Sequence, residues 1–314
     1  MIIRSFRNAD SEEILKLWNS AHHQYSLTAE LMAKKIFLDV NFLPESILVG
    51  EDKDRLIAFA YLPSALVSMD RSWKVNDKEG FISYFSIHPD EDFNEIGKIF
   101  LQALEDRHKN AGRTRLSTAY IPLYHLQGFS EKYDMRYIDL FRQAGYTENV
   151  SCRRRRKLSD YQLSDGYFLR KADLEKEGFY IGALPYEYLA EFVSSTNSFS
   201  NGAWAWQFRS ALSHTTDLGR ARVAIYNGRI IGGCIFGDPY SDEGRFGPFG
   251  MDPEYRGKGI GSVIFADCLN EMKKRGISEA WAQWTPTSGA ANSLYNKAGF
   301  LTEDRFYTFE KETE

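Results

Sequence analysis

The sequence predicts an α/β fold built twice in tandem, and three observations point to it. Strand-like apolar runs alternate with stretches at helical spacing along most of the 314 residues. Two halves answer each other: Ile87-His-Pro89 matches Met251-Asp-Pro253, and Phe141-Arg-Gln-Ala-Gly145-Tyr146 matches Tyr295-Asn-Lys-Ala-Gly299-Phe300. Gly97 lies eight positions after Pro89 in one half, and Gly261 eight after Pro253 in the other. The third observation is a strand-to-helix turn, Arg256-Gly-Lys-Gly-Ile-Gly261, with glycines at alternate positions. A duplicated domain accounts for the match, with a seam near Leu158 to Asp165 and domains at 1–158 and 159–314. The first half carries about ten extra residues, expected within Leu123 to Arg136.

Taken in order, Ile2 to Phe6 reads as a strand, and Asp10 or Ser11 caps a helix running to about residue 24. Ile47 to Gly50 and Leu56 to Leu62 form a hairpin around Asp52-Lys-Asp54. Gly80 to Ile87 is a strand, Ile96 to Lys109 an amphipathic helix, Leu116 to Ile121 a strand, and Tyr137 to Gln143 a helix stopped by Gly145. In the second half, Gly166 to Leu174 reads as a strand, followed by helices at Tyr186 to Val193 and Trp204 to Leu212. Arg222 to Tyr226 and Arg229 to Phe236 flank Asn227-Gly228, a pair suited to a turn with φ > 0. A glycine-loosened strand follows at Arg245 to Met251. The next helix has apolar residues at 260, 263, 264, 268 and 272 and ends at Gly276. Glu279 to Thr285 is a strand, Gly289 to Lys297 a helix, and Arg305 to Phe309 a last strand.

Composition narrows the function classes. A net charge of −4 argues against nucleic acid or an anionic membrane as the main partner. Cys152, Cys234 and Cys268 are odd in number and lack C-x-x-C spacing, which suggests reduced buried thiols, no metal site and a cytoplasmic setting. No stretch approaches the roughly 18–20 apolar residues that span a bilayer.

The turn has a physical use. The first amides of a helix lack carbonyl partners and sit at the positive end of its dipole. Without Cβ atoms nearby, a phosphate can reach them. Each hydrogen bond to a charged group contributes about 1.5–3 kcal/mol, whereas an exposed ion pair from Lys258 or Arg256 contributes about 0–1 kcal/mol. Backbone amides should therefore dominate. The spacing matches neither G-x-x-x-x-G-K-[ST] nor G-x-G-x-x-G.

Read with its surroundings, the stretch resembles the GNAT (Gcn5-related) N-acetyltransferases. Their acetyl-CoA signature, R/Q-x-x-G-x-G/A after a hydrophobic-x-Pro step, is similar to Met251-Asp-Pro253 followed by Arg256-Gly-Lys-Gly259-Ile-Gly261. The downstream Asn-x-x-Tyr-x-x-x-Gly-Phe of the family is similar to Asn292-Ser-Leu-Tyr295-Asn-Lys-Ala-Gly299-Phe300. The resemblance implies tandem GNAT-like domains with mixed sheets and acetyl-CoA as co-substrate, without a metal. It further implies direct transfer of a short acyl group to a primary amine, with no covalent enzyme intermediate. Carried over by position, the cofactor contacts are Phe249, Met251, Arg256, Gly257, Lys258, Gly259, Ile260, Gly261, Ser262 and Asn292. The Met251 N–H faces the thioester carbonyl, and Tyr295 is the general acid for the departing thiolate. Helix capping is the competing role for Asn292, and plain packing the competing role for Tyr295.

In the first half the corresponding segment is Asp92-Phe-Asn-Glu-Ile-Gly97, which lacks two of the three glycines and places carboxylates where a phosphate would sit. That domain is expected to be degenerate. The general base stays open among Asp238, Asp242, Glu243 and His214. Trp204, Trp206, Trp281 and Trp284 either line an aromatic acceptor pocket or fill the core. Arg153-Arg-Arg-Arg-Lys157 reads as a strand whose arginines are solvated or interdomain, and His22-His23 as surface. The expected partner is a small-molecule amine, with a homodimer as the assembly to test. The rival readings are a peptide or protein N-acetyltransferase and an acyl-CoA-binding sensor.

Overall fold

A computed structural model describes the chain except residues 65–76, 121–125, 195–197, 200, 201, 238–242 and 314, and except the side chains of 202, 203, 206, 214 and 215. Two compact units emerge. The described residues of Met1–Ser68, Val75–Ser151 and Asp304–Glu314 form the first, and those of Cys152–Glu303 the second. The last strand, Leu301–Glu312, thus begins in one unit and ends in the other.

The first unit is built on an antiparallel sheet in the order Ile2–Ser5, Ile47–Asp52, Arg55–Tyr61, Tyr84–Ile87. The expected hairpin turns at Lys53 and Asp54, both with positive φ. Successive side chains point to opposite faces. Val49, Phe59, Tyr61 and Tyr84 pack with Ile14 and Trp18 of the helix Ser11–Ala21. Leu48, Ala58, Ala60 and Phe85 pack on the other face with Phe100 and Leu104 of the helix Phe93–Asn110. Both faces are covered, so these strands read as unbroken apolar runs.

Three expectations need correction here. The run 80–87 is two strands: Glu79–Phe81 pairs in parallel with Arg115–Ser117, while Tyr84–Ile87 joins the antiparallel sheet. Asp10 does not cap its helix with its side chain, because the carboxylate accepts from Arg4 and from the Arg7 N–H instead. His22 is buried rather than surface, at 2% exposure, with Nε2 on the Phe85 carbonyl (3.1 Å) and Nδ1 3.5 Å from Asp134.

The second unit has the sheet order Tyr180–Ala183, Ala221–Tyr226, Arg229–Phe236, Phe246–Met251. The Asn227-Gly228 turn has positive φ at both residues. Val223, Ile225 and Ile235 face Phe192 and Phe208, while Ala224, Ile231 and Phe236 face Ile264, Cys268 and Met272 of the helix Ile260–Lys274. Gly166 to Leu174 is not a strand. It lies in the helix Asp165–Lys176, started by the Ser164 hydroxyl accepting from the Tyr167 N–H (3.2 Å). The true strand follows at Tyr180–Ala183. All three cysteines are buried and free. Among the described residues, no helix is long and apolar enough to cross a membrane.

Candidate active site

The edge strand Phe246–Met251 runs into a short 3-10 turn, Pro253–Tyr255, then into the glycine turn and the helix Ile260–Lys274. Asp252 fastens the start of this path. It is 3% exposed, accepts from the Glu254 N–H (3.0 Å) and the Ser198 hydroxyl, and pairs with Arg229 (3.1 Å). Burial pushes its carboxyl up, but these partners and Arg256 outweigh burial and hold it below the usual carboxylate range.

The three glycines are required for three different reasons. Gly257 has φ +77, and a Cβ there would meet nothing within 4 Å, so backbone strain alone excludes other residues. Gly259 has φ +78 and is the N-cap of the helix, without a side chain to satisfy the first amides. Gly261 lies inside the helix, where a Cβ would stand 3.2 Å from Met251 Cγ and 3.3 Å from Phe249 Cζ, so it sets how closely helix and strand approach. The first recorded helical bond runs from the Val263 N–H to the Gly259 carbonyl (3.2 Å), which leaves the amides of Ile260, Gly261 and Ser262 without a helical acceptor. Residues 256–259 and 262 are exposed, while Ile260 is buried and anchors the helix.

The flanking cations are engaged elsewhere. Arg256 Nε donates to the Met251 carbonyl (3.1 Å), and Lys258 Nζ lies 5.0 Å from the Tyr255 ring centre. A residue the sequence reading missed holds the turn itself. Arg170, on the helix Asp165–Lys176, donates from Nε (3.1 Å) and Nη2 (2.8 Å) to the Lys258 carbonyl and from Nη1 to Glu177.

The first unit shows the contrast. There Asp92 accepts from the Asn94 and Glu95 N–H groups (3.0 and 3.1 Å) at the start of the helix Phe93–Asn110. A built-in carboxylate already occupies the place an anion would take.

The Asp252 N–H bonds back to the Ile231 carbonyl (2.8 Å), with Gly232 opposite Met251. Alternation along the strand therefore turns the Met251 N–H outward, away from its partner strand. On that open side lies Glu279–Thr285, joined by a single parallel bridge between Arg245 and Trp281, with the Trp281 N–H on the Gly244 carbonyl (2.9 Å). Among the described residues no further ladder pairing joins the two strands.

Tyr295 sits on the helix Gly289–Lys297 at 7% exposure, edge-on to Phe265 (5.3 Å) and Phe300 (5.2 Å). Burial first, then Cys234, pushes its phenol above the ordinary value; Arg154 pulls against them. Its hydroxyl makes no hydrogen bond among the described residues. Asn292 is not a cap, since the helix starts after Ser288; its Oδ1 accepts from Arg154. Phe249 packs at the rim of the same cluster, against Phe246 and Phe265.

Of the two readings offered for the arginine run, solvated or interdomain, Arg154 does not fit the solvated one. It is 4% exposed, with Nη1 on Asn296 Oδ1 (2.7 Å), Nη2 on Asn292 and Nε on Thr285 Oγ1 (3.1 Å). Its neighbour Arg155 instead pairs with Glu279 and Glu303, and Arg156 with Asp160. Of the base candidates, Glu243 is largely exposed and paired with Arg220 (2.6 Å), while Asp238, Asp242 and the His214 side chain lie outside the described residues. Trp204, Trp281 and Trp284 are half-buried, and the Trp206 side chain is outside the described residues.

Residues 185–300 match the family model described as the acetyltransferase (GNAT) family. Over 59 residues the sequence is 30% identical to the ribosomal protein bS18-alanine N-acetyltransferase of Escherichia coli (strain K12), covering 19% of this chain and 40% of that relative. Three solved structures are similar over 99% of this chain. One is a GCN5-related glucosamine N-acetyltransferase region of a fungal multi-domain GH3 β-N-acetylglucosaminidase (TM-score 0.77, 17% identity, 38% of that chain). Another is a GCN5-related N-acetyltransferase from Sphaerobacter thermophilus (0.67, 16%, 95% of that chain). The third is a tandem GNAT protein from the clavulanic acid biosynthesis pathway (0.61, 12%, 98% of that chain). At these identities the structural likeness is one of fold, and that fold is the tandem GNAT arrangement.

Proposed function

We propose that this chain, whose residues 185–300 belong to the GNAT acetyltransferase family, moves an acetyl or similar short acyl group from acetyl-CoA to a primary amine of a small molecule. Direct attack in a ternary complex is the proposed route, with 159–314 as the working domain and 1–158 as the degenerate one. The observation that carries this reading is the exposed left-handed turn at Gly257 and Gly259, which opens onto helix amides with no acceptor of their own. Those residues fit a diphosphate by backbone donation, with Arg256, Lys258 and Ser262 around them. The outward Met251 N–H suits a thioester oxygen as a single donor, and Asn292, with its oxygen held by Arg154, keeps its amide N–H groups for the pantetheine arm.

Acetyl-CoA supplies the activated acyl group. The chain supplies position and a proton. Tyr295 is protonated at neutral pH, and among the described residues its hydroxyl makes no hydrogen bond. Asp238, Asp242, Glu243 and His214 remain the candidates for the base. Three free, buried thiols suit a reducing cytoplasm, and a homodimer is the assembly proposed.

The sequence match to an alanine N-acetyltransferase favours a second reading, a peptide or protein N-terminus as acceptor. Release of free thiol from acetyl-CoA, followed with small amines and with a peptide bearing N-terminal alanine, separates the two. Thiol release with neither, alongside tight binding of CoA, would leave a sensor. Tyr295→Phe should lower turnover about 100-fold or more, and full retention would remove it from the mechanism.

A further inference from the structure

Arg154 is a buried cation whose three recorded partners are all neutral oxygens: Asn292 Oδ1, Asn296 Oδ1 and Thr285 Oγ1. Among the described residues no carboxylate pairs with it, although Arg155 and Arg156 beside it are both paired. A buried charge without a countercharge is costly, so a fold that keeps one invites a reason. Two of its partners flank Tyr295 on one short helix, and its guanidinium carbon lies 6.0 Å from the Tyr295 ring centre.

We propose that Arg154 is a positioning residue for acyl transfer, fixing the Tyr295 helix through Asn292 and Asn296 and setting positive charge against the negative charge that develops as Tyr295 gives up its proton. The inference rests on Tyr295 being the acid. In the balanced step, the amine nitrogen bonds to the thioester carbon and the C–S bond breaks. The sulfur keeps that electron pair and takes the proton from Tyr295 Oη, and the resulting phenolate is reprotonated by the ammonium proton or water. Negative charge rests briefly on a buried phenol, and Arg154, over the same ring, is the cation beside it. The other titratable groups acting on Tyr295 are thiols, Cys234 from the strand Arg229–Phe236 and Cys268 from the helix Ile260–Lys274.

The test uses the full chain without ligand, then with acetyl-CoA. Difluorotyrosine, whose phenol ionises more readily, is incorporated, and the Tyr295 fluorine resonance is assigned by its loss in Tyr295→Phe. In Arg154→Gln this phenol should titrate at clearly higher pH, and in Arg154→Lys close to the parent. With hydroxylamine as a small acceptor and acetyl-CoA at saturation, thiol release should fall about tenfold in Arg154→Gln. In a Tyr295→Phe background the same substitution should change almost nothing. An unmoved fluorine titration, or an equal loss in both backgrounds, would make Arg154 merely structural and overturn the proposal. Should Arg154→Gln not fold, Arg154→Met, which keeps the stem and drops the charge, gives the same readings. Full turnover in Tyr295→Phe would instead defeat the acid assignment, whatever the fluorine spectrum shows. A wild-type chain that releases no thiol would remove the functional reading and this inference together.

Discussion

A valine at position 259 would have to adopt φ near +78, a region that disfavours any side chain and β-branched ones most. It would also crowd Arg170, whose Nε stands 3.4 Å from the Cβ position. Either the turn changes shape or the amides behind it point elsewhere. Lys258→Ala removes one exposed charge and leaves the backbone as it is. Calorimetric titration with CoA should therefore show Gly259→Val weakening binding by roughly tenfold or more and Lys258→Ala by less than about threefold. The reverse order would mean that side-chain charge, not the amides, holds the phosphates. This much was legible in the sequence because left-handed backbone and close approach demand glycine, and glycine is visible as a letter. The contact between Asn292 and Arg154 was not legible. It joins residues 138 apart in the chain, and no local pattern announces it.

At the scale of elements, the turn is braced from outside its own strand and helix. Arg170 reaches it across 88 residues of sequence and places two donors on one carbonyl. Arg170→Ala should loosen the turn and raise the Kd for CoA roughly fivefold, about 1 kcal/mol. Turnover at saturation should hold, because the Tyr295 side of the site is untouched. An unchanged Kd would show that the glycines fix the turn unaided. The bracing helix is also the element the sequence concealed. Its buried residues are Tyr167 and Leu174, seven positions apart, so its inward face shows too few apolar residues for a helical period to emerge. The hairpins at Lys53-Asp54 and Asn227-Gly228 were legible because their turn residues and flanking runs agree. The strand pair at 79–87 was not, since two short strands with different partners make one continuous apolar run.

For the molecule as a whole, pH bears on the first unit through a group outside any site. His108 is 3% exposed, bonded to the Phe81 carbonyl (3.1 Å) and packed so closely on Gly80 that a Cβ there would meet its Nδ1 at 2.4 Å. Burial, helped by Arg113 and Arg107, pushes its pKa down to about 4 against the pull of that carbonyl. The unfolded chain therefore takes up a proton near pH 6.5 that the folded one refuses until about 4. The sign follows: the contribution is complete above about 6.5 and is lost as pH falls through that window. Urea unfolding at pH 7 and pH 5 should show the parent losing about 2 kcal/mol more than His108→Gln; equal losses would place the ring elsewhere.

The assignment of residues 304–314 to the first unit also sets an order of completion. When residue 303 has been joined, every residue of the second unit exists. The first unit, begun long before, still lacks Tyr307 and Phe309 from its apolar cluster and the strand that pairs with Arg115–Ser117. The half synthesised first is finished last, its sheet and apolar cluster incomplete until the final strand of the chain is made.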